Sequence, residues 1–159
     1  MKVLYLLRVI IISFELLILL SMWLALSQFS GTATALAHAL NINQEILKYI
    51  ILLPIGIYGW IIKEAKELIF SDKDISKDLI NWSDYWKIKT HIYVSLIYGL
   101  LFCFISAIPW LSKNGITNGR GLILFSSSLC GCIWVAGSIY FAQMTIREIF
   151  HTDPNDPND

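Results

Sequence analysis

The chain has 159 residues, of which 56% are hydrophobic, and its formal net charge is zero. Soluble domains contain roughly 45–50% apolar residues, so this composition is that of an integral membrane protein. The lack of net charge excludes a strong positive field of the kind that attracts nucleic acid. We expect one membrane domain over residues 1–150. The tail, residues 151–159, repeats Asp-Pro-Asn and has no apolar residue to bury, so we expect it to be disordered.

Four hydrophobic runs predict a bundle of four transmembrane helices, an all-α membrane fold. Each run reaches or approaches the roughly 20 residues that a helix needs to cross a bilayer. None shows the two-residue alternation of a transmembrane β-strand, which argues against a barrel. The second run contains Pro54, which removes a backbone donor and should bend that helix. The predicted spans are residues 9–29, 46–62, 91–111 and 122–146.

Lysine and arginine residues are concentrated on one side of the predicted bundle. Three lie on the other side, which has only short loops, the first over residues 30–45. The positive-inside rule places the richer side in the cytoplasm. We therefore expect a multi-pass protein of a bacterial inner membrane, with both termini and the 63–90 loop in the cytoplasm. The nine basic residues on that side are Lys2, Arg8, Lys63, Lys66, Lys73, Lys77, Lys87, Lys89 and Arg147.

The first hydrophobic run has a second interpretation, as a cleaved signal peptide. The small residues of the segment TATALAHA would offer cleavage positions. However, the run is longer than the roughly 7–15 apolar residues of a signal peptide. Glu15 also interrupts it, so the sequence favours a retained span.

The cytoplasmic loop predicts an amphipathic helix that lies on the membrane surface or covers the end of the bundle. Its apolar stripe recurs at spacings of four, three and four, in Ile75, Leu79, Trp82 and Trp86. The aromatic residues Trp82, Tyr85 and Trp86 fall near headgroup depth. Two interpretations stay open for them: an aromatic anchor at the start of the third span, or a surface that contacts a partner or lipid.

Glu15 is the ionisable residue that lies deepest in a predicted span. A charged side chain inside the bilayer costs about 2.5–3.5 kcal/mol on insertion scales, which makes Glu15 a candidate for function. Counting residues from the cytoplasmic boundary predicts a polar layer at similar depth, made of Glu15, Tyr98, Tyr140, Gln143 and Tyr58. Such a layer either holds the helices together or forms part of a proton or cation path. A path normally needs several acidic or histidine groups, which favours the structural role.

Small residues in the fourth span predict close helix packing. Ser127 with Gly131, and Ser138 with Ala142, are each four positions apart on one helix face. Pairs of this kind let two helices approach closely, either within one bundle or between the copies of a homo-oligomer. The sequence leaves both arrangements open.

The sequence lacks the motifs of catalysis and metal binding. Cys103, Cys130 and Cys132 all lie inside hydrophobic runs, and their spacing does not match a zinc site. There is no glycine-rich phosphate loop, nucleophile elbow or metal-binding histidine pair. We expect no disulfide, no metal, no cofactor and no enzymatic activity.

In size and topology the chain is similar to bacterial immunity proteins against pore-forming toxins, although no motif is shared. Those proteins have three or four spans, short loops and no soluble domain. The similarity implies a non-enzymatic protein that contacts the lipid bilayer and binds another membrane protein or a membrane-inserting toxin. The alternative is a small channel, a transporter subunit or an accessory component of a larger complex, in which Glu15 and the bent second helix would line a pathway.

Overall fold

The computed structural model describes residues 2–39, 49–50, 52–70, 85–111 and 115–151. These residues form helices and one short 3₁₀ turn at Gly115–Thr117, with no strand among them, which confirms the all-helical class. The α-helices are α1 (Lys2–Ile11), α2 (Phe14–Gln28), α3 (Ser30–Ala39), α4 (Leu52–Phe70), α5 (Tyr85–Leu111) and α6 (Gly119–His151). The predicted amphipathic helix, including Trp82, and the tail beyond His151 lie outside the described residues.

Two of these helices are long and apolar enough to cross a membrane. They are α5, with 27 residues, and the 28-residue part of α6 that ends at Ile146. The pair α2 and α3 adds a third candidate if it is one span bent by 85°. In α4, four charged residues follow the apolar half, so its described part does not qualify. The count of four spans is therefore not confirmed within the described ranges.

The first hydrophobic run is broken, whereas its length predicts one helix over residues 9–29. Helix α1 ends at Ile11 and α2 begins at Phe14, because Ser13 adopts an extended backbone with φ −70° and ψ 142°. The Ser13 hydroxyl accepts a hydrogen bond from the Leu16 N–H at 3.2 Å. This is an N-cap, which satisfies a donor that a new helix otherwise leaves without a partner. The break is thus encoded by a serine inside an apolar run.

The segment predicted as the first external loop begins with a helix. Residues 30–39 form α3, which turns by 85° away from α2 at Phe29, and residues 40–45 lie outside the described part. Helix α3 packs closely against the start of α6. A Cβ placed on Gly119 would lie 2.5 Å from the Ser30 carbonyl oxygen and from the Thr34 hydroxyl oxygen. Glycine at this position therefore allows the two helices to approach.

The core of the bundle lies where α5 and α6 pack together and against α4. Phe102 of α5 is fully buried, and its ring lies against Gly131 of α6, where a Cβ would come within 2.7 Å of the ring. Ile61 of α4 and Val135 of α6 are also fully buried in this core. Large apolar side chains on the outside of the bundle are exposed, as expected for a surface that faces lipid rather than water.

Candidate functional site

A cleft of about 540 Å³ lies beside the break between α1 and α2. Helices α5 and α6 form its other walls. Its apolar lining includes Phe14 and Trp134, whose rings stack with their centroids 4.3 Å apart. Its polar lining consists of Tyr5, Arg8, Ser13, Glu15, His91, Ser95 and Ser138. The cleft is the place where the described chain brings polar side chains together inside an apolar bundle.

Glu15 is buried in the wall of this cleft, with 6% of its surface exposed. The Ser95 hydroxyl donates a hydrogen bond to Glu15 Oε1 at 3.3 Å. No lysine or arginine of the described ranges forms an ion pair with the carboxylate. Glu15 also lies in the first turn of α2, where the N–H groups at the helix end favour a negative charge. The carboxylate is therefore oriented by one hydroxyl and stabilised by a helix end.

Tyr98 supports the break rather than the carboxylate. Its hydroxyl donates a hydrogen bond to the Ile10 carbonyl oxygen at 3.1 Å. The last carbonyl groups of a helix have no partner within the helix, so α1 needs an outside donor where it ends inside the bundle. Tyr98 is buried in α5 and provides that donor. Glu15 and Tyr98 thus both lie at the break between α1 and α2, but they make different contacts there.

The other residues of the predicted polar layer lie away from the cleft. The Tyr58 hydroxyl donates to the Leu96 carbonyl oxygen at 3.3 Å and joins α4 to α5. Gln143 is buried in α6, with 6% of its surface exposed. Tyr140 is 46% exposed on the outer face of α6, where its ring contacts Phe141. The structure therefore does not bring the five predicted residues together as one layer.

Aromatic side chains contact one another where the start of α5 meets α1. The hydroxyl of Tyr5 forms a hydrogen bond with His91 Nε2 at 3.1 Å, and the Tyr5 ring meets Trp86 edge to face at 4.9 Å. Tyr85 donates to the Ile69 carbonyl oxygen at 3.3 Å and connects the end of α4 to the start of α5. Tyr85 and Trp86 therefore make contacts within the bundle.

The structure places Ser127, Gly131, Ser138 and Ala142 of α6 in three different environments. Gly131 receives the Phe102 ring, so this close approach occurs within one chain. Ser138 and Ala142 line the cleft, where small side chains leave its volume open. Ser127 is half-buried in the same helix.

The cleft contains a serine, a histidine and a carboxylate, yet their contacts are not those of a hydrolase triad. In a triad the histidine accepts the proton of the serine and is held by the carboxylate. Here Ser95 donates directly to Glu15, and His91 bonds to Tyr5. No hydrogen bond among the described residues joins Ser95 to His91, so the three side chains are not linked in the order of a triad.

Several residues of the cleft were not predicted from the sequence: Tyr5, Arg8, Ser13, His91, Ser95 and Trp134. Two signals for them were present. Ser13 is a preferred N-cap residue two positions before Glu15, and His91 and Ser95 are four positions apart on one helix face. Among the described residues, no three histidine, cysteine or acidic side chains are placed to hold a metal ion, and the three cysteines are free thiols.

Comparison of the chain with family models, with curated proteins and with solved structures gives no match. The geometry and chemistry of the cleft are therefore the features that indicate function. That geometry offers one buried carboxylate, apolar and aromatic walls, and an end at which Arg8 is exposed. Such an arrangement is suited to binding a group that carries both charge and apolar surface.

Proposed function

We propose that this protein is a non-enzymatic integral membrane protein that binds another membrane-associated protein. Its role would be that of an immunity protein, which protects a bacterial cell against a membrane-inserting, pore-forming toxin. In this proposal the chain crosses the inner membrane four times. Both termini lie in the cytoplasm, as the bias in lysine and arginine predicts. The single observation that carries the proposal is the cleft, in which a carboxylate inside the bundle lacks a basic partner.

The nature of the cleft walls favours a partner that arrives through the membrane. The stacked rings of Phe14 and Trp134 form one wall, and the outer face of α2 beside it exposes large apolar side chains such as Leu17 and Leu20. A helix of an inserting toxin can pack against that face while one of its polar side chains enters the cleft. Polar contacts between helices support association in a membrane, where lipid removes most of the hydrophobic driving force.

The test is protection of living cells. Cells that express the protein are challenged with a panel of membrane-inserting peptide toxins, and survival and membrane potential are measured. We expect the wild type to raise the lethal dose of at least one toxin by about tenfold or more, since a buried contact between charged groups of two partners is worth at least that much. Glu15→Gln should abolish this protection. Glu67→Gln, the same change at an exposed glutamate on α4 away from the cleft, should retain it.

The result that contradicts the proposal is equal killing with and without the protein for every toxin in the panel. Expression of each variant is checked in isolated membranes, so that loss of protection is not confused with loss of protein. Protection that survives in Glu15→Gln would keep the immunity role but remove the cleft from it.

A second function, as a channel or transporter component, is favoured by the break in the first hydrophobic run. Transporters place broken helices and buried charged groups at their substrate sites. Here the break lies two residues from Glu15, which lines the cleft. A proton or cation flux in liposomes that contain the purified protein, abolished by Glu15→Gln, would replace the binding role with this one.

A further inference from the structure

The carboxylate of Glu15 has an incomplete set of partners. Ser95 donates to Oε1, whereas Oε2 receives no hydrogen bond from the described residues and remains accessible at the cleft wall. Burying a carboxylate is costly unless it is paired with a cation or fully hydrogen-bonded. A single hydroxyl donor at 3.3 Å does not meet that need. The cleft therefore presents an acceptor that a positively charged ligand would satisfy.

The size and walls of the cleft decide which kind of cation fits. Its volume of about 540 Å³ is that of a small-molecule site and far exceeds a bare metal ion. Calcium takes roughly six to eight oxygen ligands, and this cleft offers one carboxylate. Aromatic faces attract organic cations, and the stacked Phe14 and Trp134 rings line the same space. An organic monocation matches both the charge and the apolar walls.

We propose that the cleft beside Glu15 binds a monovalent organic cation, an alkylammonium or guanidinium group. Glu15 is its counter-ion, Ser95 holds the carboxylate in position, and the Phe14–Trp134 pair forms the apolar wall. The choice of occupant rests on the proposed function. If the partner is a membrane-inserting protein, the cation is a lysine or arginine side chain of that partner. A free amine would offer the same chemistry.

Arg8 provides a second test, in which the expected change in binding is opposite to that for Glu15. Its side chain lines the same cleft and is exposed to solvent, and it forms no ion pair with Glu15. A resident positive charge near the site repels an incoming cation, although solvent screens the repulsion. Removal of this charge should therefore strengthen binding, while removal of the Glu15 charge should weaken it.

The experiment measures binding of 2-phenylethylammonium to the purified protein in lipid nanodiscs by calorimetry, with 2-phenylethanol as a neutral ligand of similar shape. We expect the amine to bind at least about tenfold more tightly than the alcohol, since pairing of a buried charge is worth that much or more. Glu15→Gln should remove this preference, and Arg8→Gln should increase it. Glu67→Gln, an exposed glutamate on α4 away from the cleft, is the matched control and should leave it unchanged.

A second set of measurements separates the two sources of the cation. A transmembrane peptide with one central lysine is compared with the same peptide carrying leucine, in the same nanodiscs. Preference for the lysine peptide, lost in Glu15→Gln, supports both the cation site and the proposed function. Binding of the free amine alone supports the cation site and contradicts the partner. Equal binding of amine and alcohol by the wild type overturns the cation site. So does a preference for the amine that is the same in the wild type, Arg8→Gln and Glu15→Gln. Either result stands even if the protein protects cells.

Discussion

Replacement of Phe102 by alanine is expected to destabilise the protein by about 3–5 kcal/mol, the usual cost of removing a buried phenylalanine ring. Phe102 is fully buried and its ring lies against Gly131, so it fills the contact between α5 and α6. Gly131, which the ring faces, carries no side chain that could move into the space left by the ring. The measurement is unfolding in detergent micelles, followed by circular dichroism.

The matched control for this loss is Phe104→Ala. Phe104 lies two positions along the same helix and is 68% exposed on the outside of the bundle. Removal of its ring costs only contacts with lipid or detergent, which other lipid or detergent molecules replace. We therefore expect the free energy of unfolding to change by less than about 1 kcal/mol. Equal losses for the two variants would contradict the packing of α5 against α6 described above.

Replacement of Gly119 by alanine should destabilise the chain by about 1–3 kcal/mol through overpacking. The added methyl group would meet the backbone of α3 at Ser30 and Thr34, which cannot move aside as the end of a side chain could. Helix α3 would have to separate from the start of α6. Thermal unfolding in the same detergent measures the effect.

Gly137→Ala is the comparison for this change. Gly137 lies in the same helix, and a Cβ at that position has no neighbour within 4 Å. Alanine is the better helix former, so this variant should be unchanged or more stable by roughly 0.5–1 kcal/mol. Equal stability of the two variants would contradict the close contact between α3 and α6.

The two long helices could be predicted from hydropathy because each is a continuous apolar run. The predicted spans 91–111 and 122–146 lie inside α5 and α6. The break at Ser13 and the turn at Phe29 could not be found in this way. A hydropathy sum over about 20 residues does not register a local cap or a change in direction. Helix α3 was also missed, because its small and polar residues resemble those of a loop.

The candidate site was predicted in part, from depth alone. Depth placed Glu15 and Tyr98 in the same region, and both lie at the break. Depth ignores which face of a helix a residue occupies, and this is why Tyr140 was placed in the layer. From Ser128 onward, the buried side chains of α6 recur at spacings of three and four, and Tyr140 lies outside this stripe. The buried stripe consists of Ser128, Cys132, Val135, Ile139, Gln143 and Ile146.

A cleft lies beside Glu15 at the break in the first hydrophobic run, and cysteine labelling at Ser138 tests its presence most directly. Ser138 lines the cleft, whereas Phe141, one turn away, is 71% exposed on the outer face. Each is replaced by cysteine in a chain whose three native cysteines are alanine. The membranes are then treated with a positively charged, water-soluble thiol reagent.

The Glu15 carboxylate attracts the reagent into an open cleft, so Ser138→Cys should react about tenfold faster than Phe141→Cys, and Glu15→Gln should reduce the difference. A continuous first helix would seal the site. Equal rates at the two positions, or no reaction at Ser138→Cys, would contradict the cleft.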